Sequence, residues 1–333
     1  MDIATDALPE LFSQAGRDYE ATGYEQCWYP LAKSEDIRSG EITGQDFLDG
    51  RVVMYRDSTG TARVMTAFCR HMGCDLSLAE VMGDDIRCPF HYWRYGPDGA
   101  CTKIPSLEDD SKIPKRAKLF SYPTEERLGL IWVFNGEKPL YPVPSFEAHV
   151  DMPNTIWRVF ESTEDYRADP WWIITTNAFD FQHLRFVHGL ADEFAMLKDI
   201  ELDVTDHSIG YGNGAITVWG INCTVGIAPQ RNMVGGGTPV GIGRRKGYRV
   251  YSAHIGDGSD NAIKEAEDSI QAIYEHETRI IEDEDVPIVQ RLDYQAGGVL
   301  VPADKQLATY LRYVHNYPRI RMAELIQLAE NRG

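Results

Sequence analysis

At 333 residues, with 43% hydrophobic and 25% charged residues, the chain is long enough for one large or two medium globular domains with substantial cores. Asp and Glu outnumber Lys and Arg by 51 to 33, a net charge of -18, which argues against nucleic acid or an anionic membrane surface as partner. The opening stretch, MDIATDALPELF, has neither a basic n-region nor an apolar h-region, and no segment nears the roughly 18 apolar residues of a membrane span, so a cytoplasmic location is expected.

Taken in chain order, the first half is punctuated like a β-domain. Arg51 to Arg56, the turn-like Asp57-Ser58-Thr59-Gly60 and Ala62 to Phe68 predict a hairpin. A second hairpin is expected around Pro97-Asp98-Gly99, and the apolar run Leu128 to Phe134 before Asn135-Gly136 predicts a strand and a turn. Pro139, Pro142 and Pro144 follow, and the first domain is expected to span residues 1–136, with the second spanning 137–333.

Between the two hairpins stand Cys69-Arg-His71 and, after sixteen intervening residues, Cys88-Pro-Phe-His91. Two soft thiolates and two neutral imidazoles can hold a two-iron cluster, one iron through sulfur and the other through nitrogen; losing two thiolates raises the cluster's potential. Zinc also accepts two cysteines and two histidines, but zinc fingers usually pair Cys with Cys and His with His, whereas each loop here offers one of each. The segment resembles the Rieske [2Fe-2S] family, and Trp28-Tyr29-Pro30 resembles its oxygenase branch. The stretch Cys69-Arg-His-Met-Gly-Cys74 is also similar to respiratory Rieske proteins, which bridge their two loops by a disulfide. The partner position here is Phe90, so Cys74 is expected to stay a free, buried thiol. Cys27, Cys101 and Cys223 read as small buried residues.

The second half mixes signals, and with the first gives an α+β protein: a small all-β domain, then an α+β domain with a helical C-terminus. Trp171 to Val187 is apolar without β-alternation and precedes Gly189, a plausible helix end. Ala215 to Trp219 and Tyr248 to Ser252 read as strands separated by glycine-rich Val234 to Gly243. Ala303 to Val314 and Ile320 to Ala329 carry helical periodicity around a break at Pro318. Gly241-Ile-Gly243 beside Arg244-Arg245-Lys246 lacks a phosphate loop's strand-turn-helix context and reads as a surface turn. His149, His207, His254, His276 and His315 show no ligand spacing.

Asn177, Asp180, His183 and His188 lie within twelve residues. Two histidines with a distant carboxylate make the facial triad of non-haem Fe(II) oxygenases. Five residues rotate two side chains by about 140° on an ideal helix, so the helix must end or distort between His183 and His188 for both to face one metal. The spacing closely resembles the mononuclear iron motif of Rieske oxygenases. That resemblance implies that Asp180 bridges His183 to a cluster histidine of the next subunit in a head-to-tail homotrimer, with Asn177 near the iron but not a strong ligand. The third ligand should be an acid far downstream. In Ile280 to Gln290, Asp285 is where the family's ligand stands, ahead of Asp283 and Asp293; it could instead cap a helix with Pro287 in its first turn.

The resemblance implies a terminal oxygenase in which a Rieske cluster feeds a mononuclear Fe(II) that activates O2, with hydroxylation or oxidative dealkylation of a small molecule. No flavin or nicotinamide fingerprint is present, so a separate ferredoxin, NAD(P)H-dependent reductase or both must supply electrons. Lys103, Lys112, Lys115, Arg116 and Lys118 form a basic concentration where an acidic ferredoxin could dock. Pocket residues are expected between Trp219 and Ile255 and after Asp199. A pure electron-transfer protein or a catalytically silent one are the alternatives; neither would show substrate-dependent O2 uptake.

Overall fold

A computed structural model describes residues 22–162, 170–228, 231–241, 244–294 and 298–331. Residues 1–12, Ile242 and Gly243 lie outside them, and with them the expectations for the leading segment and part of the Gly241–Gly243 turn. The chain divides into two compact units. The first comprises Thr22–Val143, Thr238–Gly241 and the described chain from Arg319; the second runs from Pro144 to Pro318 apart from that insertion.

The first unit holds strands β1 (Tyr24–Glu25), β2 (Trp28–Lys33), β3 (Ile42–Phe47), β4 (Gly50–Arg56), β5 (Ala62–Thr66), β6 (Glu80–Met82), β7 (Asp85–Arg87), β8 (Arg94–Tyr95), β9 (Cys101–Lys103), β10 (Thr124–Arg127) and β11 (Leu130–Phe134). They form small antiparallel sheets ordered β3-β4-β5, β6-β7-β8-β9 and β10-β11-β2. Val53, Tyr55, Met65 and Leu76 are fully buried with Ile86, Tyr95 and Leu119, and both Cys69 and Cys88 belong to this core. The cluster-bearing loops are therefore rooted in packed apolar residues rather than hung from the surface. Trp28 is buried on β2, where its indole N–H donates to the Tyr141 carbonyl at 2.8 Å.

In the second unit, β12 (Thr155–Ser162), β13 (Asp203–Val204), β14 (Ser208–Tyr211), β15 (Ile216–Trp219), β16 (Cys223–Ala228), β17 (Arg231–Pro239) and β18 (Arg245–His254) build one antiparallel sheet, ordered β12-β18-β17-β16-β15-β14-β13. Helices α1 (Phe181–Phe186), α2 (Ala191–Leu197), α3 (Asp260–Ile280), α4 (Val286–Val289) and α5 (Lys305–His315) accompany it. The glycine-rich run expected to separate two strands is itself β17. Glycine is needed there because a Cβ at Gly237 would stand 1.9 Å from Arg245 Nε, so the arginine lies across the strand. Arg245 and Lys246, just beyond the expected turn, start β18.

Helix α3 starts at Ser259, whose hydroxyl accepts from the Ala262 N–H, and it packs Ala266 and Ile270 against Tyr251 and Ala253 of β18. Phe160 of β12 stacks on Tyr274 at 4.0 Å, and Tyr251 donates its hydroxyl proton to Glu277 at 2.6 Å. Burying Ile270 alone contributes about 2 kcal/mol. These contacts fix the direction in which α3 leaves the sheet, and at its end stands the acidic run Ile281–Asp285, wound as one π-helical turn.

The chain then returns to the first unit as β19 (Arg319–Ile320), which pairs with β1, and α6 (Met322–Asn331). Glu330 of α6 pairs with Arg70, the residue between Cys69 and His71. The C-terminal helix thus braces a cluster loop, a role that periodicity alone does not reveal. No helix among the described residues is long and apolar enough to cross a membrane.

Candidate metal centres

The two cluster loops are built on one backbone plan. Cys69 N–H donates to the Cys74 carbonyl at 2.9 Å and Gly73 N–H returns to Cys69; Cys88 N–H donates to the Trp93 carbonyl at 2.9 Å and Tyr92 N–H returns to Cys88. The equivalent residues Gly73 and Tyr92 both have positive φ, +73° and +58°. Glycine accepts that conformation freely, while Tyr92 holds it under strain, as residues at ligand-clamping turns do. Both cysteines are buried, and His71 and His91 are exposed, with ring centroids 4.5 Å apart and His71 stacked on Trp93 at 4.7 Å.

Arg70 N–H donates to the Tyr95 hydroxyl oxygen at 3.0 Å, which leaves that hydroxyl free to donate to Cys69 Sγ at 3.2 Å. Burial raises the Cys69 thiol, so an anionic sulfur there needs a metal beside it. A pair of buried sulfurs and a pair of exposed imidazoles, juxtaposed by twin loops, fits a two-iron cluster with one end in the protein and one at the surface.

Cys74 is unbridged, as expected, but only partly buried, because its loop lies at the surface; its thiol donates to the Asp75 carbonyl at 3.7 Å. Phe90 is exposed. Cys27 and Cys223 are fully buried; Cys101 is half-buried, its thiol pushed up to about 11 by burial, which suits packing rather than reactivity.

In the second unit, Asp180 caps α1: its carboxylate accepts from the His183 main-chain N–H at 3.2 Å. The resemblance implied a hydrogen bond between Asp180 and His183, and the contact found runs through the His183 backbone N–H. Burial raises the Asp180 carboxyl. Helix α1 stops at Phe186, so the chain turns before His188 and both imidazoles face inward, which resolves the 140° problem by termination. Asn177 is the penultimate residue of the 3-10 segment Ile173–Ala178, with Nδ2 buried and unpaired.

His183 Nε2 lies 2.8 Å from His188 Nε2, and Asp285 Oδ1 lies 2.9 and 3.3 Å from the two. The set is nearly closed to solvent, the imidazoles 11% and the carboxylate 7% exposed. Asp285 Oδ1 is buried yet makes no hydrogen bond of acceptable geometry. Three donor atoms crowded this closely, one of them an orphaned oxygen, are what a cation requires, and two imidazoles with one carboxylate suit iron with coordination positions left open. Asp285 sits at the N-cap position of α4 without capping it; the π-turn presents its side chain to the histidines instead. Asp283 and Asp293 are exposed and outside the set.

One residue escaped the sequence reading. Glu284 Oε2 lies 2.6 Å from His188 Nδ1. Its only signal was its place beside Asp285 in an acidic run, where four consecutive acids look alike.

A cavity of about 150 Å³ opens in the same unit, lined by Asn222, Thr224, Met233, Arg245 and Arg249. These come from the segment expected to supply pocket residues, but Ile174 and Thr175, just before Asn177, also line it and were not anticipated.

Residues 27–123 match the Rieske [2Fe-2S] domain. The oxygenase component of a 3-ketosteroid-9-alpha-monooxygenase from Rhodococcus rhodochrous is 31% identical over 50% of this chain and 44% of its own length. The iron-sulfur subunit of the Comamonas testosteroni toluene-4-sulfonate monooxygenase system is 31% identical over 59% and 55%. The chain thus spans about half the length of the curated relatives it matches. The terminal oxygenase of carbazole 1,9a-dioxygenase from Novosphingobium sp. KA1 superposes with a TM-score of 0.70 at 17% identity, covering 95% of this chain and 97% of that one. Dicamba monooxygenase bound to dicamba gives 0.60 at 19%, covering 91% and 98%. The chain therefore carries a Rieske domain, followed by a second domain of antiparallel sheet and helices. Its fold is shared with the carbazole 1,9a-dioxygenase terminal oxygenase and with dicamba monooxygenase.

Proposed function

We propose that the chain is a terminal oxygenase component that uses O2 to hydroxylate, or oxidatively dealkylate, a small organic substrate. The observation that carries the reading is the convergence of His183 Nε2, His188 Nε2 and Asp285 Oδ1 in a chain that also holds a Rieske domain. When bound, the cluster supplies electrons one at a time and the mononuclear iron supplies a site where O2 can react. Cys69, Cys88, His71 and His91 hold the first; His183, His188 and Asp285 hold the second. Asp180 fixes the first turn of α1, and through it the placing of His183. Asn177 presents a buried, unpaired amide close to that turn. The relatives' names, which specify a ketosteroid and toluene-4-sulfonate, favour a ring-bearing substrate, and the 150 Å³ cavity is our choice for its chamber. The domain division at residue 136 is retained as a functional one, cluster before and catalysis after.

The reading extends to a homotrimer in the cytoplasm, supplied by a separate reductase or ferredoxin. Phe68, Met72, Phe90 and Tyr92 are exposed around the cluster histidines, and Phe186, Leu190 and Met196 are exposed on α1, α2 and the turn between them. Two such apolar faces on different parts of one chain fit a head-to-tail contact between copies, with Asp180 near the junction. Exposed Lys112, Lys115 and Arg116 offer a docking site to an acidic donor, whereas Lys103 and Lys118 are already paired with Asp110 and Asp98. The test is iron content together with O2 uptake from a chemical or ferredoxin donor across a panel of steroids, aromatics, methylated ethers and amines. The expected result is three irons per chain and substrate-dependent uptake coupled to product. Two irons per chain with no uptake would mean an electron carrier.

A further inference from the structure

We infer that Glu284 is a positioning residue for the mononuclear metal, acting through His188; this rests on the reading of His183, His188 and Asp285 as a metal site. Glu284 Oε2 lies 2.6 Å from His188 Nδ1, while His188 Nε2 faces Asp285 Oδ1 at 3.3 Å. Two consecutive acids therefore reach the two nitrogens of one imidazole. On a regular α-helix, neighbouring side chains diverge by about 100°. Here both acids lie on the π-helical turn Ile281–Asp285, and the His188 ring enters between them from beyond the end of α1.

The consequence is a choice of tautomer. The Glu284 carboxylate accepts a hydrogen bond from the His188 Nδ1–H, which leaves the Nε2 lone pair directed at His183 Nε2 and Asp285 Oδ1, the direction in which a cation would be bound. The bond also fixes the ring angle. His188 needs that support more than His183 does, because His183 is carried on α1, whereas His188 lies beyond the helix end. Glu284 is 42% exposed and His188 11%, so the carboxylate closes the solvent side of the imidazole. An exposed glutamate bonded to another exposed side chain would contribute little. A short bond to a nearly buried imidazole that aims into a metal site is a different case.

The experiment compares the intact holoprotein with Glu284→Ala, Glu284→Gln and His188→Ala. It measures the rate at which a chelator removes the mononuclear iron and records the absorption spectrum of the Co(II)-substituted site, with the Rieske visible spectrum as a check on folding. Glu284→Ala is expected to release iron about 10- to 100-fold faster and to shift the Co(II) bands, with the Rieske spectrum unchanged. Glu284→Gln, which keeps an acceptor oxygen at the same reach, is expected to recover most of the retention. Wild-type release and an unshifted Co(II) spectrum in Glu284→Ala, alongside iron loss in His188→Ala, would overturn the inference alone. Equal retention by wild type and His188→Ala would overturn the metal-site reading beneath it as well.

Discussion

The two candidate metal centres are assembled in opposite ways. The cluster loops take all their ligands from residues 69–91, and each loop is closed by its own pair of backbone hydrogen bonds over a shared apolar core. The mononuclear set takes two histidines from the end of α1 and its acid from a π-turn nearly a hundred residues later. That acid arrives only because α3 packs on β18 through Ala266 and Ile270. A centre built from local bonds can form once two hairpins pair. One closed by distant chain depends on the packing of a whole unit, and loop-closure entropy weighs against it until the sheet is in place.

The largest test of that contrast is His188→Ala. It removes one donor of three, and the mononuclear iron is expected to be lost while the Rieske spectrum and the cluster's two irons remain. The fall in substrate-dependent O2 uptake should exceed the roughly 100-fold typical of losing a supporting partner. Loss of both signals together would show that the centres are not built independently. Next in size is Asp180→Asn. Asparagine caps a helix as well as aspartate, so α1 should persist and iron should stay bound. What disappears is a buried charge beside His183, and a fall in turnover on the order of 10- to 100-fold is expected, read as kcat at unchanged iron content. Full turnover in this variant would remove Asp180 from the proposed route between subunits.

The same contrast explains what could be read from the chain alone. Cys69, His71, Cys88 and His91 were legible because their chemistry is written in two short motifs, and His183 with His188 because helix geometry turns a five-residue spacing into a requirement for a break. Asp285 was readable only by resemblance, since an acidic run carries no local mark of which member faces inward. The π-turn that decides it depends on how α3 packs. The same blindness hid Glu284. The glycine-rich β17 was misread for a related reason: local propensity signals a break, and only the arginine lying over Gly237 shows why glycine is tolerated in that strand. The strand-built part of the first unit, from Tyr24 to Phe134, was legible from its turn residues. Its completion by β19 and α6 was not, because pairing between Tyr24 and Ile320 leaves no local trace.

A smaller effect probes the frame of the local centre. Asp57 turns the β4–β5 hairpin that leads into Cys69: Oδ1 accepts from the Thr59 and Thr61 N–H groups, each at 3.0 Å, and Oδ2 from Arg63 Nε at 2.8 Å. Bonding from the Thr59 hydroxyl first, with help from Arg63, holds its carboxyl down at about 2. A depressed folded value means that the stabilisation is fully present above the unfolded carboxyl's ordinary value, near 3.9, and is lost as pH falls through the folded one. Asp57→Asn should therefore lower stability by on the order of 2 kcal/mol at neutral pH and flatten its pH dependence between about 4 and 2. Denaturant unfolding followed by the Rieske signal measures both, and parallel pH profiles for the two proteins would contradict the assignment.

The smallest change falls on one hydrogen bond. In Tyr95→Phe the ring still fills its fully buried place, so the loop geometry should hold, but Cys69 Sγ loses the hydroxyl 3.2 Å away. A donor to a cluster sulfur stabilises the reduced, more negative state over the oxidised one, so its removal lowers the potential. A bond of about 1 kcal/mol corresponds to a drop on the order of tens of millivolts, measurable by redox titration of the Rieske signal. Iron binding at His183, His188 and Asp285 should not change, because Tyr95 and that set belong to different compact units. An unchanged potential would mean that the Tyr95 proton points elsewhere and that Cys69 is tuned by burial alone.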